Sequence, residues 1–165
     1  MSYKNTVAII NASTAVGTVV AKSIAKDYRL LLMDAAQPQL VLLQQEIQSM
    51  DNKAEVDIHD CCNTASWEAD IIVVANEGEG LDELAVKMQQ VTNCKNILHF
   101  TSQEDDIDKL QQLLPHAKVV TILLGQSFTD AYANAFIHGT DKEAIDTAKK
   151  MVAAIACKRQ IHVRA

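Results

Sequence analysis

The feature that most constrains the fold lies at the start of the chain, where an apolar, β-branched run passes through a turn of small residues into a helical pattern. Residues Thr6–Ile10 predict a buried strand, and Ala15–Lys26 predict an amphipathic helix with Val16, Val20 and Ile24 on its apolar stripe. A strand, a short turn and a helix in this order are how a βαβ unit begins. We therefore expect a parallel sheet.

Apolar runs and helix-period segments alternate along the rest of the chain. Further strands are predicted at Arg29–Met33, Glu55–Ile58, Asp70–Ala75, Asn96–Phe100, Lys118–Leu124, Ala135–His138 and Gln160–Val163. Helices are predicted at Pro38–Met50, Leu81–Val91, Glu104–Leu114 and Lys142–Ala154, with a short helix or turn at Asn63–Glu68. Because such alternation implies right-handed crossovers, we expect residues 1–165 to form a single doubly wound α/β domain, with a mostly parallel sheet and helices on both faces.

Composition limits the partners and the location that we expect. A net charge of −6 disfavours nucleic acid and anionic membrane surfaces as partners, because a surface that follows phosphates needs a basic excess. No segment is apolar for long enough to span a membrane, and the N-terminus lacks a signal-peptide pattern, so a cytoplasmic location is predicted. The four cysteines are then expected to be reduced thiols.

The turn after the first strand is where a pyrophosphate binds in a dinucleotide-binding βαβ unit, against the N-terminus of the following helix. Of the glycines that such a turn usually carries, only Gly17 is present. Ala12 and Thr14 replace the others in a GxGxxG register, and Asn11 and Thr14 replace them in a GxxGxxG register. We expect the β-branched Thr14 to resist unusual backbone angles and to crowd a phosphate, although the hydroxyls of Ser13 and Thr14 can donate hydrogen bonds. Gly17 also has a structural interpretation, since it lets the helix pack closely on the strand.

Asp34 ends the second predicted strand, at the position of the acidic ribose ligand in such units. Its carboxylate would accept hydrogen bonds from a ribose diol and repel a 2′-phosphate. Since no arginine follows closely, NAD is favoured over NADP as the cofactor. The alternative is an aspartate that is merely solvated at a strand end.

Other candidate groups favour structural interpretations. His59, Asp60, Cys61 and Cys62 can each bind metals, but four ligands at zinc spacing are not visible, and no metal site is expected. Ser127, in the segment 125–129, is expected to cap a short helix. Trp67 is expected to be a packing anchor. No catalytic residue is assigned, because hydride transfer itself needs no protein acid or nucleophile.

Four later segments resemble one known family when they are taken in order along the chain. Residues Ala69–Ala75 resemble the fourth strand of the pyrroline-carboxylate-reductase-like, deazaflavin-dependent NADP oxidoreductase family, and Lys95–Ser102 resemble its next strand. Residues Leu114–Val120 are similar to its "LP-x-AKVV" segment, which leads into the sixth strand. Residues Phe136–Ala144 are similar to its "apolar-x-G-x-D-x-EA" strand and helix start.

This resemblance implies a Rossmann-like domain that binds a nicotinamide dinucleotide and passes hydride to a small-molecule acceptor, which the sequence does not identify. It implies cofactor contacts from the first turn, from the end of the second strand, and from the segments after the fourth and fifth strands. The implied cofactor-binding residues are Ala12, Ser13, Thr14, Ala15, Val16, Gly17, Asp34, Ala75, Asn76, Thr101 and Ser102.

Three departures from the family pattern keep two alternatives open. The glycines are replaced, the segment after the fourth strand is Asn76–Gly80 with two carboxylates, and the chain stops at Ala165 soon after the last predicted strand. One alternative is a non-catalytic Rossmann module that binds a protein partner or another nucleotide. The other is a homodimer in which the second copy supplies a missing pocket wall.

Overall fold

Strands and helices alternate in the computed structural model of the chain, which describes residues 3–76, 80–124, 135–155 and 161–164. Within these residues the strands are β1 (Thr6–Ile10), β2 (Arg29–Met33), β3 (Val56–His59), β4 (Ile71–Val74), β5 (Asn96–Thr101), β6 (Lys118–Leu124), β7 (Ala135–His138) and β8 (Ile161–Arg164). The helices are α1 (Ala15–Ile24), α2 (Gln37–Met50), α3 (Cys62–Glu68), α4 (Leu81–Met88), α5 (Lys109–Leu113) and α6 (Lys142–Ile155).

The described strands form one sheet in the order β3-β2-β1-β4-β5-β6-β7-β8. Neighbouring strands are parallel except β6 and β7, which run antiparallel. The predicted fold class, an α/β, mostly parallel sheet with helices on both faces, is therefore confirmed. The order reverses between β1 and β4, so the chain crosses from one half of the sheet to the other at this point. In open α/β sheets, ligands bind at the carboxyl ends of the strands beside such a reversal.

Alternate residues of the strands feed two separate apolar clusters, one on each face of the sheet. Val7 and Ile9 of β1 join a cluster with α1, α2 and α6. Ala8 and Ile10 join a second cluster with α3, α4 and α5. Both faces of β1 are therefore covered, which explains why its sequence is a continuous apolar run rather than an alternating pattern.

The prediction of one helix over residues 104–114 is wrong. The structure has a 3-10 turn at Glu104–Asp106 and then the separate, short helix α5. Two polar contacts with the sheet compete with helical bonding here. The Thr101 hydroxyl donates to a carboxylate oxygen of the buried Asp106 (3.3 Å), and the Thr121 hydroxyl donates to the carbonyl oxygen of Ile107 (2.7 Å). These bonds hold the segment against β5 and β6.

The expectation for Trp67 is also wrong, since its side chain is 72% exposed on α3. The buried residues of α3 are instead the small Cys62, Ala65 and Ser66. Among the described residues, no helix has both the length and the apolar character that crossing a membrane requires.

Candidate functional site

The turn between β1 and α1 takes its unusual backbone angle at Asn11 and not at Thr14. Asn11 has a φ of +59°, in the left-handed region that asparagine tolerates better than most residues. Thr14 has ordinary extended angles (φ −67°, ψ 163°) and is the N-cap of α1. The expected conflict between a β-branched residue and an unusual backbone angle therefore does not arise at Thr14. The turn forms without its first two glycines because asparagine supplies the left-handed residue.

The hydroxyl of Thr14 is used within the turn. It accepts a hydrogen bond from the Gly17 N–H (3.1 Å) and donates one to the Asn11 carbonyl oxygen (2.9 Å). A side-chain cap of this kind satisfies one of the unpaired donors of the first helical turn. The first-turn N–H groups of Ala15 and Val16 have no acceptor within the helix, as in every α-helix.

Gly17 is required by the close approach of α1 to the end of β1. A Cβ atom at this position would lie 2.5 Å from the Asn11 carbonyl oxygen and 2.8 Å from the Ala12 Cα. Both atoms belong to the backbone, so they cannot move aside as a flexible side chain can. The structural interpretation of Gly17 is thus supported by its surroundings.

A cavity of about 430 Å³ opens at the carboxyl ends of β1 and β4, at the point where the strand order reverses. Of the residues predicted to bind the cofactor, Thr14, Ala15, Val16, Ala75 and Asn76 line it. Asn11 and Gly80 line it as well. None of these described lining residues carries a charge. From the described residues the cavity therefore offers backbone and amide groups, but no side-chain cation that could neutralise a phosphate.

The N-termini of two helices lie beside this cavity and differ in charge. The first turn of α1 contains no acidic residue. The first turn of α4, which begins just after Gly80, contains Asp82 and Glu83. Since a helix N-terminus carries a partial positive charge that nearby carboxylates offset, an anion in the cavity is favoured at α1 rather than at α4.

Asp34 lies next to the turn but already holds several hydrogen bonds. Its Oδ2 accepts from the Ser13 N–H (3.0 Å) and from the Ser13 hydroxyl, while its Oδ1 accepts from the Ala36 N–H (3.2 Å). A carboxylate has about four lone-pair sites. The described residues therefore occupy three of these sites on Asp34, and one stays open. A ribose diol has two hydroxyl donors, so Asp34 could accept from only one of them in this arrangement.

The remaining predicted residues are placed differently. Ala12 is fully buried in the apolar cluster on the α1 face of the sheet. Thr101 is also fully buried, and its hydroxyl accepts from the Gln103 N–H (3.0 Å) as well as donating to Asp106. Ser102 is exposed, after β5. Neither Thr101 nor Ser102 lines the cavity between β1 and β4.

The backbone of Asn76 is held by a buried histidine that no sequence pattern singled out. His99, on β5, lies with Nε2 2.9 Å from the Asn76 carbonyl oxygen, and its side chain is fully buried. Because a carbonyl can only accept, Nε2 carries the hydrogen. The Asn76 amide oxygen, in contrast, is buried and has no hydrogen-bond partner among the described residues. Asn76 lines the cavity, so this unsatisfied acceptor lies close to the cavity but out of contact with solvent.

Two lining residues were absent from the predicted set. The signal for Asn11 was its residue type, because asparagine is the usual alternative to glycine in the left-handed region. Gly80 gave no comparable signal, since the angle at its position (φ −92°) is open to any residue. Several features of the sequence lie outside the described residues, so the structure says nothing of them. They are the carboxylates Glu77 and Glu79, the segment 125–129 and Cys157.

The cysteine pair before and within α3 is split between two environments. Cys61 is exposed, and hydrogen bonds from the backbone N–H groups of Thr64 and Asn63 lower the pKa of its thiol. Cys62 is buried, and this burial raises the pKa of its thiol. No group of three or more His, Cys, Asp or Glu side chains in the described ranges is arranged to hold a metal ion.

Solved structures with the same arrangement of elements are enzymes of the Rossmann type. Mycobacterium tuberculosis 3-hydroxyisobutyrate dehydrogenase, solved with L-serine, superimposes with a TM-score of 0.75 at 13% identity over 99% of this chain and 56% of that one. Pyrroline-5-carboxylate reductase from Coxiella burnetii superimposes with a TM-score of 0.73 at 11% identity, over 99% of this chain and 60% of that one. An imine reductase variant from Myxococcus stipitatus, in complex with NAD+, superimposes with a TM-score of 0.73 at 14% identity, over 98% of this chain and 55% of that one.

These similarities establish a Rossmann-type fold. The chain spans little more than half the length of the solved proteins that it resembles. No family model and no curated protein matches the sequence.

Proposed function

We propose that this chain binds a nicotinamide dinucleotide, with the pyrophosphate against the N-terminus of α1. The observation that carries the proposal is the cavity at the β1–β4 reversal, which is bounded by a helix N-terminus free of acidic residues. Free N–H groups and a helix dipole at such a place favour an anion. The fold shared with an imine reductase variant that was solved in complex with NAD+ agrees with this assignment.

The residues that would hold the cofactor have distinct roles. The N–H groups of Ala15 and Val16 face the phosphates, while Thr14 keeps the helix end in place through its cap. Asn76 forms part of the cavity wall, and His99 fixes the backbone of Asn76. When bound, a nicotinamide cofactor supplies the hydride, and the protein supplies position.

We infer an oxidoreductase that passes hydride to a small-molecule acceptor, in the manner that the resemblance to pyrroline-carboxylate-reductase-like enzymes implies. NAD is the favoured cofactor. No cation among the described lining residues is available for a 2′-phosphate, and the Asp34 carboxylate beside the turn would repel one.

Calorimetric titration with NADH and with NADPH tests this proposal. We expect NADH to bind with a Kd in the micromolar range, about −8 kcal/mol at 1 μM, and NADPH to bind more weakly. The purified protein should first be checked for nucleotide that has co-purified with it. If neither cofactor binds at millimolar concentration, the proposal is wrong and the non-catalytic module becomes the better interpretation.

One observation favours that second function, a module that binds without turnover. The Asp34 carboxylate is engaged by Ser13 and Ala36, so its capacity for a ribose diol is reduced. This arrangement lets the turn fold stably without any ligand.

Replacing Ser13 with alanine tests whether Asp34 receives the ribose of a bound dinucleotide. Removal of the hydroxyl frees one lone-pair site on Asp34 Oδ2. If the ribose binds there, NADH affinity should rise by about 3–10-fold, since a net hydrogen bond contributes about 1 kcal/mol. The matched control is Ser23→Ala, which removes a hydroxyl that bonds only the Val19 carbonyl oxygen within α1 (2.7 Å). Unchanged NADH affinity in a folded Ser13→Ala protein would contradict a ribose site at Asp34.

A further inference from the structure

A second groove, of about 360 Å³, lies toward the β8 edge of the sheet and shares no lining residue with the cavity at the β1–β4 reversal. It is formed between the segment that follows β5 and one face of β6, β7 and β8. The strand register explains its composition. Leu123 of β6 pairs with Phe136 of β7, and Thr121 pairs with His138, which in turn pairs with Arg164 of β8. Side chains from three strands therefore line up on one face.

The floor of this groove is apolar. Leu123 is buried, and Ile107 and Phe136 are half-buried beside it. The Phe136 ring also stacks on His162, with ring centroids 5.0 Å apart and planes 22° apart. A half-buried aromatic ring held by a stacking neighbour is a rigid surface for an apolar group.

Charged groups of both signs line the same groove. His138 Nε2 and Asp108 Oδ1 lie 2.9 Å apart, so these two side chains satisfy each other. Arg164 places its guanidinium 4.5 Å from the centre of the Phe136 ring. Glu104 completes the lining from the 3-10 turn. Neither Glu104 nor Arg164 forms an ion pair with another residue in the described part of the chain.

This distribution of charge selects among ligands. A simple carboxylate would be attracted by Arg164 but repelled by Glu104 and Asp108, and a simple amine would meet the opposite conflict. A zwitterion meets both demands at once, with its carboxylate on the guanidinium and its ammonium on the free Glu104 carboxylate. Because the floor of the groove is apolar, the side chain of the ligand should be apolar as well.

We propose that this groove binds a free amino acid with an aromatic or large aliphatic side chain. Arg164 takes the ligand carboxylate, Glu104 takes the ammonium group, and Phe136, Leu123 and Ile107 contact the side chain. The paired Asp108 and His138 form the polar wall. The volume of the groove lies at the lower end of the range for small-molecule sites. The site is separate from the dinucleotide cavity, and its test uses no dinucleotide, so either assignment can fail without the other.

Titration of the full chain with three related probes, followed by two-dimensional NMR, tests this inference. The probes are L-phenylalanine, 3-phenylpropanoate, which lacks the ammonium group, and 2-phenylethylamine, which lacks the carboxylate. We expect L-phenylalanine to shift the signals of Phe136, His138 and Arg164 with a Kd of about 1 mM, and each of the other probes to bind at least about fivefold more weakly. Equal affinity for all three, or shifts that map elsewhere, would overturn the proposal.

Two charge-removing variants assign the ends of the ligand. Glu104→Gln should weaken L-phenylalanine binding and leave 3-phenylpropanoate unchanged or tighter. Arg164→Gln should weaken both. The control is Lys53→Gln, which removes an exposed charge in the loop between α2 and β3. Because Glu104 and Arg164 are exposed, the variants should keep the wild-type spectrum outside the groove. If Glu104→Gln binds L-phenylalanine as wild type does, the zwitterion assignment is wrong.

Discussion

Replacing Ala15 with aspartate is expected to weaken NADH binding by at least about tenfold, or about 1.4 kcal/mol, while leaving the protein at least as stable as wild type. Ala15 is an exposed first-turn residue of α1 that lines the dinucleotide cavity. A carboxylate there interacts favourably with the helix dipole, by about 0.3–1 kcal/mol. The same carboxylate repels a pyrophosphate at the helix end. Calorimetry measures the affinity, and urea unfolding measures the stability.

The control for this variant is Asn63→Asp, which places the same charge at an exposed first-turn position of α3. Asn63 does not line the cavity, so NADH affinity should stay within about twofold of wild type. If Ala15→Asp binds NADH as tightly as wild type does, the phosphates do not lie at α1. The opposite effects on stability and affinity make a general folding defect easy to distinguish.

Replacing Gly17 with alanine is expected to destabilise the fold by about 1–3 kcal/mol or more, the range for overpacking. The added Cβ would lie within 3 Å of three backbone atoms of Asn11 and Ala12, so α1 must move away from the end of β1. Each kcal/mol should lower the Tm by about 2–4 °C in a protein of this size. Thermal and urea unfolding both measure the effect.

Two other glycines provide a graded comparison. At Gly80 a Cβ would lie 3.4 Å from the Asn76 Nδ2, an ordinary contact. Gly80→Ala should therefore change stability little, or raise it slightly by restricting the unfolded chain. At Gly139 a Cβ would lie 2.9 Å from the Val120 Cγ2, which is a single side-chain atom and not the backbone, although Val120 is itself fully buried. We expect the destabilisation to decrease in the order Gly17, Gly139, Gly80. Equal effects at Gly17 and Gly80 would show that the contact at the turn is not tight.

The central strands were predictable because they are buried on both faces, whereas β7 alternates buried and half-buried residues. β1, β2, β6 and β7 begin and end at the residues that their apolar runs indicated. A continuous run of aliphatic and β-branched residues between polar turns has few other structures open to it. The residues 104–114 were not predictable in this way, because the bonds that divide them come from Thr101 and Thr121 on the two flanking strands, and the helical periodicity of the segment carries no sign of them.

The candidate site was predictable in its position but not in its hydrogen bonds. The strand, turn and helix pattern placed the cavity at the first turn, and Thr14, Ala15 and Val16 do line it. The contact between Ser13 and Asp34 joins residues 21 positions apart, and it depends on how closely β2 lies beside the turn. Periodicity carries no information on such a contact, so the reduced capacity of Asp34 for a ribose emerged only from the structure.

The reversal between β1 and β4 has a consequence for how the chain is made on the ribosome. β1 finds one neighbour, β2, soon after it is synthesised, but its other neighbour begins only at Ile71. At about 5–20 residues per second, the nascent chain spends some seconds with one side of an apolar strand unpaired. An open, apolar strand edge is a template for pairing with other chains. Shielding by a chaperone should therefore matter most during this interval, before the fourth strand has been translated.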